Sequence, residues 1–317
     1  MNILITGASG FVGTNLVKHF VRAGYVVDVL DLGAPVAPGI RNYFSWDRLN
    51  GIDFNMYDSV IHLAGMAHDV RGKVDEQKYI DVNYGLTRTI FIRFLESEAA
   101  NFIFFSSVKA VADKVVGDVL TEDVVPAPVG PYGKSKQMAE HYILSALRVV
   151  EEKMDYKRAY VLRPCMIHGA GNKGNLNLLY KVVKWGLPWP LGAFPNLRSF
   201  TSVGNLCFLV DKVACGDIPS GVYNVADDVP VSTNRLVELM YGSRGMRPRI
   251  WRLSPGFVRG LARVGDALHL PLNSVRLQKL TENYVVSNFK IKRALGIDSL
   301  PVGAEDGIME TLDSFKG

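Results

Sequence analysis

The chain has 317 residues, a net charge of +5, and 48% hydrophobic against 21% charged residues. That balance excludes a disordered chain, and no low-complexity tract or repeat of 20 to 50 residues argues for a solenoid. The three cysteines, Cys165, Cys207 and Cys215, form no CxxC pair and no metal-ligand spacing, which excludes a disulfide framework and a zinc site and fits a reducing cytoplasm.

"MNILITGASG" reads as direct entry into a strand, with no basic leader or cleavage site expected. "NILIT" (2–6) is the first strand, and "FVGTNLVKHFVRAG" places Phe11, Val12, Leu16, Phe20 and Val21 on one helical face before Gly24. "YVVDVLDL" (25–32) is the second strand, so strand, glycine turn, helix and strand fall within the size of one βαβ unit. Further strands are predicted at 58–65, 101–107 and 158–164, with helices around 78–98 and 132–152. Apolar stretches between them are broken by Arg93, Glu96 and Glu98, so no membrane span is expected. Alternating strands and helices predict an α/β fold with a doubly wound parallel sheet of Rossmann type, its ligand crevice at the carboxyl ends of the strands. The expected division is a dinucleotide-binding unit over 1–164 and a smaller α/β substrate unit over 165–317, with chain crossings between them.

The positive charge gathers in "SRGMRPRIWRLSPGFVRGLARVG" (243–265). The plain reading is a solvated basic face around an amphipathic helix whose apolar side carries Phe257, Val258, Leu261 and Val264. Two functional readings stand beside it, attraction of an anionic substrate such as a nucleotide diphosphate and contact with anionic lipid. No recognised module for nucleic acid accompanies the charge, so nucleic acid is not expected as a partner.

The first strand ends in "TGASGFVG", where Gly7, Gly10 and Gly13 form G-x-x-G-x-x-G. Glycine permits the tight turn, the approach of a pyrophosphate and close packing of helix on strand, and the helix amino terminus then meets the phosphates. Asp31 follows Gly7 by 24 residues, where a carboxylate serves the ribose hydroxyls. Its charge would repel a 2′-phosphate, which favours NAD over NADP; the alternative is that Asp31 only closes a strand-end turn.

A nicotinamide cofactor gives meaning to "PYGKSK" (131–136), which sets Tyr132 and Lys136 one helical turn apart. Chance alone supplies about 0.7 such Y-x-x-x-K pairs, and "YKVVK" at Tyr180–Lys184 is a second one. Hydride transfer at a secondary alcohol needs a group to take and return the hydroxyl proton. A tyrosine working near neutrality must fall by about 3 from its usual pKa of about 10, worth about 4 kcal/mol. A neighbouring lysine and the positive nicotinamide ring can supply that.

These segments together resemble the extended short-chain dehydrogenase/reductases of the NAD-dependent epimerase/dehydratase family. "TGASGFVG", "HLAG" (62–65), "DVNYGLT" (81–87), "FFSSVKA" (104–110), "PYGKSK" and "LRPCMIHGAG" (162–171) occur in that family's order, and "LTENYVVSNFKIKRALGI" (280–297) resembles its C-terminal segment. The resemblance implies that Tyr132 is the acid/base, Lys136 its ribose-bound partner, and Ser107 the hydroxyl that orients the substrate, with Ser106 the competing serine. "YKVVK" then falls outside the pattern, since no serine strand end precedes Tyr180 at the family's spacing. The cofactor contacts implied are Gly7, Gly10, Phe11, Val12, Gly13, Asp31, Ala64, Gly65, Asn83 and Lys136; for Asn83 a hydrogen bond within the scaffold is the alternative. His62, His68 and His168 have no partner motif and are read as packing or surface residues.

The family's smaller domain grips a nucleotide-diphosphate sugar. Its R-x-F-x-x-V-x-x-L segment is matched by "NLRSFTSVGNL" (196–206), which implies Arg198 as a diphosphate ligand. Asn175 and Arg276 are the further substrate candidates. Departures from the pattern are Gly204 in place of a common aspartate, and Met166 and His168 in place of an asparagine and a tyrosine. Val108 and Lys109 stand where the sugar dehydratases carry Asp-Glu, so dehydration is disfavoured. The expected activity is NAD-dependent epimerisation at C4 of a UDP-hexose or UDP-hexosamine. The alternatives are NAD(P)H-dependent reduction of a 4-keto sugar in polysaccharide biosynthesis and a non-catalytic, cofactor-binding regulator. A cytoplasmic homodimer is the family expectation.

Overall fold

Seven parallel strands form the centre of the molecule, in the spatial order 221–225, 158–164, 101–105, 59–62, 2–6, 26–31 and 42–45. The computed structural model describes all residues except 35–36, 67–74, 152–155, 173–174, 269–272 and 317, and all side chains of the described residues except those at 150, 151 and 175. In chain order the first half comprises β1 (Asn2–Thr6), α1 (Phe11–Arg22), β2 (Val26–Asp31), β3 (Asn42–Ser45), β4 (Ser59–His62), α2 (Glu76–Tyr79), α3 (Thr87–Leu95), β5 (Asn101–Phe105), α4 (Pro131–Glu151) and β6 (Arg158–Pro164). The second half continues with β7 (Met166–His168), α5 (Asn175–Lys184), β8 (Leu197–Arg198), β9 (Phe200–Ser202), α6 (Val203–Cys215), β10 (Gly221–Val225), β11 (Val231–Ser232), α7 (Thr233–Ser243), α8 (Pro255–Ala267), α9 (Ser274–Thr281), α10 (Phe289–Leu295) and α11 (Ala304–Asp313).

Strand alternation builds two cores. Ile3, Ile5, Val27, Val29, Ile61, Ile103, Tyr160 and Leu162 face α1 and α6, while Leu4, Val60, Phe102, Phe104, Ala159 and Val161 face α3 and α4. On the second face Phe91, Phe94 and Phe102 interlock, with ring centroids 4.9 to 5.7 Å apart. Each such buried side chain is worth about 1.5–3 kcal/mol.

Several expectations need correction. The buried stripe of α1 is Gly13, Leu16, Val17 and Phe20; Phe11, Val12 and Val21 are only half-buried because the helix is covered by α6 from one side. Two strands of the main sheet were not legible, the edge strand β3 and β10, which arrives from the second half to pair with β6. The helix expected over 78–98 is interrupted: a π-helical turn spans Ile80–Leu86 between α2 and α3. Of the apolar side predicted for α8, only Val258 is buried; Phe257, Leu261 and Val264 are exposed.

The second half has its own core, in which Leu176, Tyr180, Trp189, Phe200, Tyr241, Val258, Leu277 and Ile308 meet. Tyr180 of the second Y-x-x-x-K pair is thus a core residue, away from any strand end of the main sheet. No helix among the described residues is long and apolar enough to cross a membrane.

Candidate active site

The strand order reverses at β1: β2 and β3 are added on one side and β4, β5 and β6 on the other, which opens a crevice at the carboxyl ends of β1 and β4. Gly7 has φ +75°, and a Cβ there would lie 2.6 Å from the Ala64 nitrogen. A Cβ on Gly13 would overlap the Gly7 carbonyl oxygen. The turn is therefore closed on two sides by backbone, and only glycine fits at either position. Phe11 and Val12 begin α1; the Phe11 ring lies against Gly169, 3.3 Å from where a Cβ would stand. Asp31 ends β2, where its carboxylate accepts hydrogen bonds from the Ser9 and Leu32 nitrogens, both at 2.6 Å. It is thereby tied to the glycine turn itself.

β4 delivers Ala64 and Gly65 to the same crevice. The Ala64 nitrogen donates to Thr6 Oγ1 at 3.3 Å. Gly65 passes close to Asn83 and Lys136, since a Cβ would stand 2.8 Å from Asn83 Oδ1 and 3.2 Å from Lys136 Nζ. Asn83, buried in the π-helical turn, accepts from the Met66 nitrogen at 2.8 Å and donates to the Met66 oxygen at 3.2 Å and to Ser135 Oγ at 3.0 Å. Its amide is engaged by the scaffold, clamping the loop after β4 to the helix that carries Tyr132 and Lys136.

The two serines after β5 part company. Ser106 continues the row of Phe102 and Phe104 toward α4, where its hydroxyl donates to Glu140. Ser107 turns the other way, caps the turn at 108–110 through the Lys109 nitrogen at 3.2 Å, and hydrogen-bonds Tyr132. Gly133 allows this meeting: a Cβ there would overlap the Lys109 carbonyl oxygen and lie 2.9 Å from Pro128 Cβ.

Lys136 is buried, and its ammonium donates to the Phe105 carbonyl at 2.8 Å, with the Phe104 ring 4.7 Å away. Burial brings its pKa down to about 8, opposed by the charge of Glu140. Burial also pushes the Tyr132 phenol above its ordinary range; the bond to Ser107 pulls the other way, and Tyr79, whose ring centroid is 6.4 Å away, adds to the rise. The depression expected of Tyr132 rests on Lys136 together with the positive nicotinamide ring, and burial of the phenol works against it. Beneath Lys136, the buried Glu140 is held by Arg163 of β6 through bonds of 2.9 and 2.5 Å. Sequence reasoning missed this pair. Its signal was a carboxylate four residues after Lys136, on the same helix face, and an arginine, Arg163, after the apolar run Ala159–Leu162 of β6.

His62 is buried and hydrogen-bonded to Thr6 at 2.6 Å and Thr87 at 3.0 Å, and burial holds its pKa near 3. It is a neutral scaffold residue. His168 is also buried, bonded to Thr311 at 2.9 Å; His68 lies outside the described residues.

Arg198, on β8, is brought to the rim of the site. Its Nη1 donates to the Lys279 carbonyl, its backbone bridges Tyr284, and the Tyr284 hydroxyl in turn donates to Ala112 at 2.7 Å, beyond the serine turn. Arg276 is exposed on α9, three residues before Lys279. The side chain of Asn175, at the start of α5, lies outside the described residues. A separate recess of about 260 Å³, lined by Asp28, Arg41 and Tyr57, lies off the edge strand and contains none of these residues.

Comparison with known proteins gives a consistent picture. The sequence pattern described as the NAD dependent epimerase/dehydratase family matches residues 3–226. A UDP-glucose 4-epimerase of Vibrio cholerae is 32% identical over 248 residues, 74% of either chain. The N-acetyl-alpha-D-glucosaminyl-diphospho-ditrans,octacis-undecaprenol 4-epimerase of Escherichia coli O157:H7 is 30% identical over 242 residues, 74% of this chain and 70% of its own. Among solved structures, MoeE5 in complex with UDP-glucuronic acid and NAD superposes with a TM-score of 0.76 at 21% identity, covering 100% of this chain and 99% of its own. The UDP-N-acetylglucosamine 4-epimerase from Bacillus cereus gives 0.75 at 18% identity, covering 100% of both chains.

Proposed function

The chain belongs to the NAD dependent epimerase/dehydratase family, and on that premise we propose that it is a 4-epimerase of a UDP-hexose or UDP-hexosamine. The observation that carries the reading is the meeting of Ser107, Tyr132 and Lys136 beside a glycine turn that backbone closes on two sides. The residues present fit NAD. Gly7 and Gly13 leave the cradle a pyrophosphate needs, the amino terminus of α1 would face it, and Asp31, bonded to the Ser9 nitrogen, would hold the adenosine ribose.

Bound NAD supplies a hydride acceptor and donor at its nicotinamide ring. Tyr132 takes the proton from the sugar 4-hydroxyl oxygen and returns it to the same oxygen once the sugar has presented its other face. Ser107 donates to that oxygen and holds it within reach of the phenol. Lys136 holds the nicotinamide ribose and, while charged, favours the phenolate. Arg198 receives the diphosphate.

A second reading concerns the carrier of the sugar. One relative is named for a sugar on an undecaprenol diphosphate, and the exposed apolar ridge of α8 favours a lipid-borne diphosphate sugar here as well. The test begins with the nucleotide released on denaturing the purified protein. Stoichiometric NAD, with interconversion of UDP-N-acetylglucosamine or UDP-glucose and its 4-epimer, is the expected result. Turnover of only the polyprenyl-diphosphate sugar selects the second reading. Net consumption of NADH or NADPH with a 4-keto sugar overturns epimerisation in favour of reduction, and absence of any nicotinamide binding overturns the whole proposal.

A further inference from the structure

Residues 243–265 carry six arginines and no acidic residue. Within this segment α8 has two apolar faces. Val258, Ala262 and Gly265 turn inward, and these small side chains complete the core of the second half. The larger ones turn outward. Phe257, Leu261, Val264 and, one residue past the helix, Leu268 are 57, 45, 51 and 64% exposed. Their spacing of i, i+4, i+7 and i+11 makes them one ridge, roughly 16 Å long. A helix that serves only the core buries its large apolar residues; this one presents them to the outside.

Two tryptophans are exposed on the segments that follow α5 and precede α8. Trp185 is 72% exposed, Leu187 50% and Trp251 56%. The segments that carry them run side by side, with the Trp251 nitrogen donating to the Trp189 oxygen at 2.8 Å and Arg249 Nη1 donating to the Gly186 oxygen at 3.4 Å. Exposed indoles, an apolar ridge and arginines are the side chains that settle at a lipid–water boundary. Among the described residues, Arg247, Arg249, Arg252, Arg259 and Arg263 form no ion pair. Their charge is left for an outside anion. A second copy of the chain on this face would set Arg259 and Arg263 against their own symmetry mates, and the one carboxylate of α8, Asp266, is engaged by the Ser274 nitrogen and hydroxyl.

We propose that α8, with the adjoining 185–187 and 249–252 segments, docks the protein on an anionic phospholipid bilayer, the ridge entering the boundary between headgroups and acyl chains and the arginines meeting lipid phosphates. The contact is peripheral and reversible, and it weakens with salt because exposed charges are screened.

Flotation of the full chain with vesicles tests this. Vesicles of phosphatidylglycerol and phosphatidylcholine in equal parts carry the protein upward, vesicles of phosphatidylcholine alone do not, and raising sodium chloride from about 0.05 to about 0.5 M releases it. Leu261→Ser with Leu268→Ser, and separately Arg259→Glu with Arg263→Glu, each lower the bound fraction at least ~10-fold. Their unfolding midpoint and nicotinamide-nucleotide binding stay at the parent values, since all four side chains are exposed and outside the active site. The proposal is overturned by binding to neither vesicle, by equal binding to both, or by binding that neither variant changes. It is equally overturned if sedimentation shows a self-associated species that Leu261→Ser with Leu268→Ser dissolves, because the ridge then covers a second copy. Vesicle binding is read without any sugar substrate, so its failure leaves the proposed activity standing, and the reverse also holds.

Discussion

The Lys136 ammonium lies 2.8 Å from the Phe105 carbonyl, one helical turn from Tyr132 and wholly inside the protein. Burial sets its pKa at about 8, so it is charged at neutral pH and loses that charge as pH rises. A neutral Lys136 no longer favours the phenolate, so kcat/KM is expected to fall as pH climbs through about 8. Lys136→Met lowers the rate throughout and removes this limb. A pH–rate profile of both proteins between about 6 and about 10 checks the sign; an unchanged alkaline limb in the variant assigns it to another group.

Glu140 adds to the charge that Lys136 retains, and Arg163 compensates Glu140 in the same buried space. Glu140→Gln is therefore expected to move the alkaline limb to lower pH. It also leaves the Arg163 charge uncompensated, at a cost of about 3–5 kcal/mol. Replacing both residues by methionine costs less than the single change. Denaturant midpoints of the three proteins measure the second effect and the pH profile the first.

Tyr132→Phe removes the group proposed to move the proton and is expected to lower kcat about 10²–10⁴-fold with nucleotide binding unchanged. Ser107→Ala, which removes one positioning bond, has a smaller effect, about 10-fold or more. Full activity in Tyr132→Phe would assign the proton transfer to another group.

Gly133 lets the first turn of α4 press on the turn that follows Ser107. Gly133→Ala places a methyl on the Lys109 carbonyl and 2.9 Å from Pro128 Cβ. The expected cost is about 1–3 kcal/mol in stability and a drop in kcat at nearly constant KM, because the serine turn and tyrosine move apart. Gly130→Ala, with nothing within 4 Å of its new methyl, is the control and stays near parent values.

Asp31 faces the glycine turn through Ser9. Asp31→Ala is expected to weaken NAD binding about 10-fold and to narrow the preference for NADH over NADPH, since a carboxylate that repels a 2′-phosphate is gone. Paired titrations with the two reduced nucleotides, read by fluorescence, decide it; an undiminished preference would make Asp31 only a turn residue.

What the sequence determined by itself was local and periodic. The βαβ entry, the glycine turn, the ends of β4, β5 and β6, and the pairing of Tyr132 with Lys136 each lie within a few turns of chain, where side-chain spacing and backbone freedom fix the outcome. Alternation along β5 also separated Ser106 from Ser107, because a strand turns successive side chains to opposite faces. The tertiary structure decided what depends on partners distant in the chain. β10 joins β6 across about 60 residues, and no local period encodes that pairing. Arg163 reaches Glu140 only because β6 lies beneath α4. The outward turn of Phe257, Leu261 and Val264 could not be read from an apolar pattern that looks the same from either side: which face of α8 is buried depends on the space left by α9 and the core of the second half, and that space is filled by Val258, Ala262 and Gly265. The protonation balance of Lys136 is likewise a product of burial, which is settled only when the whole chain has closed around it.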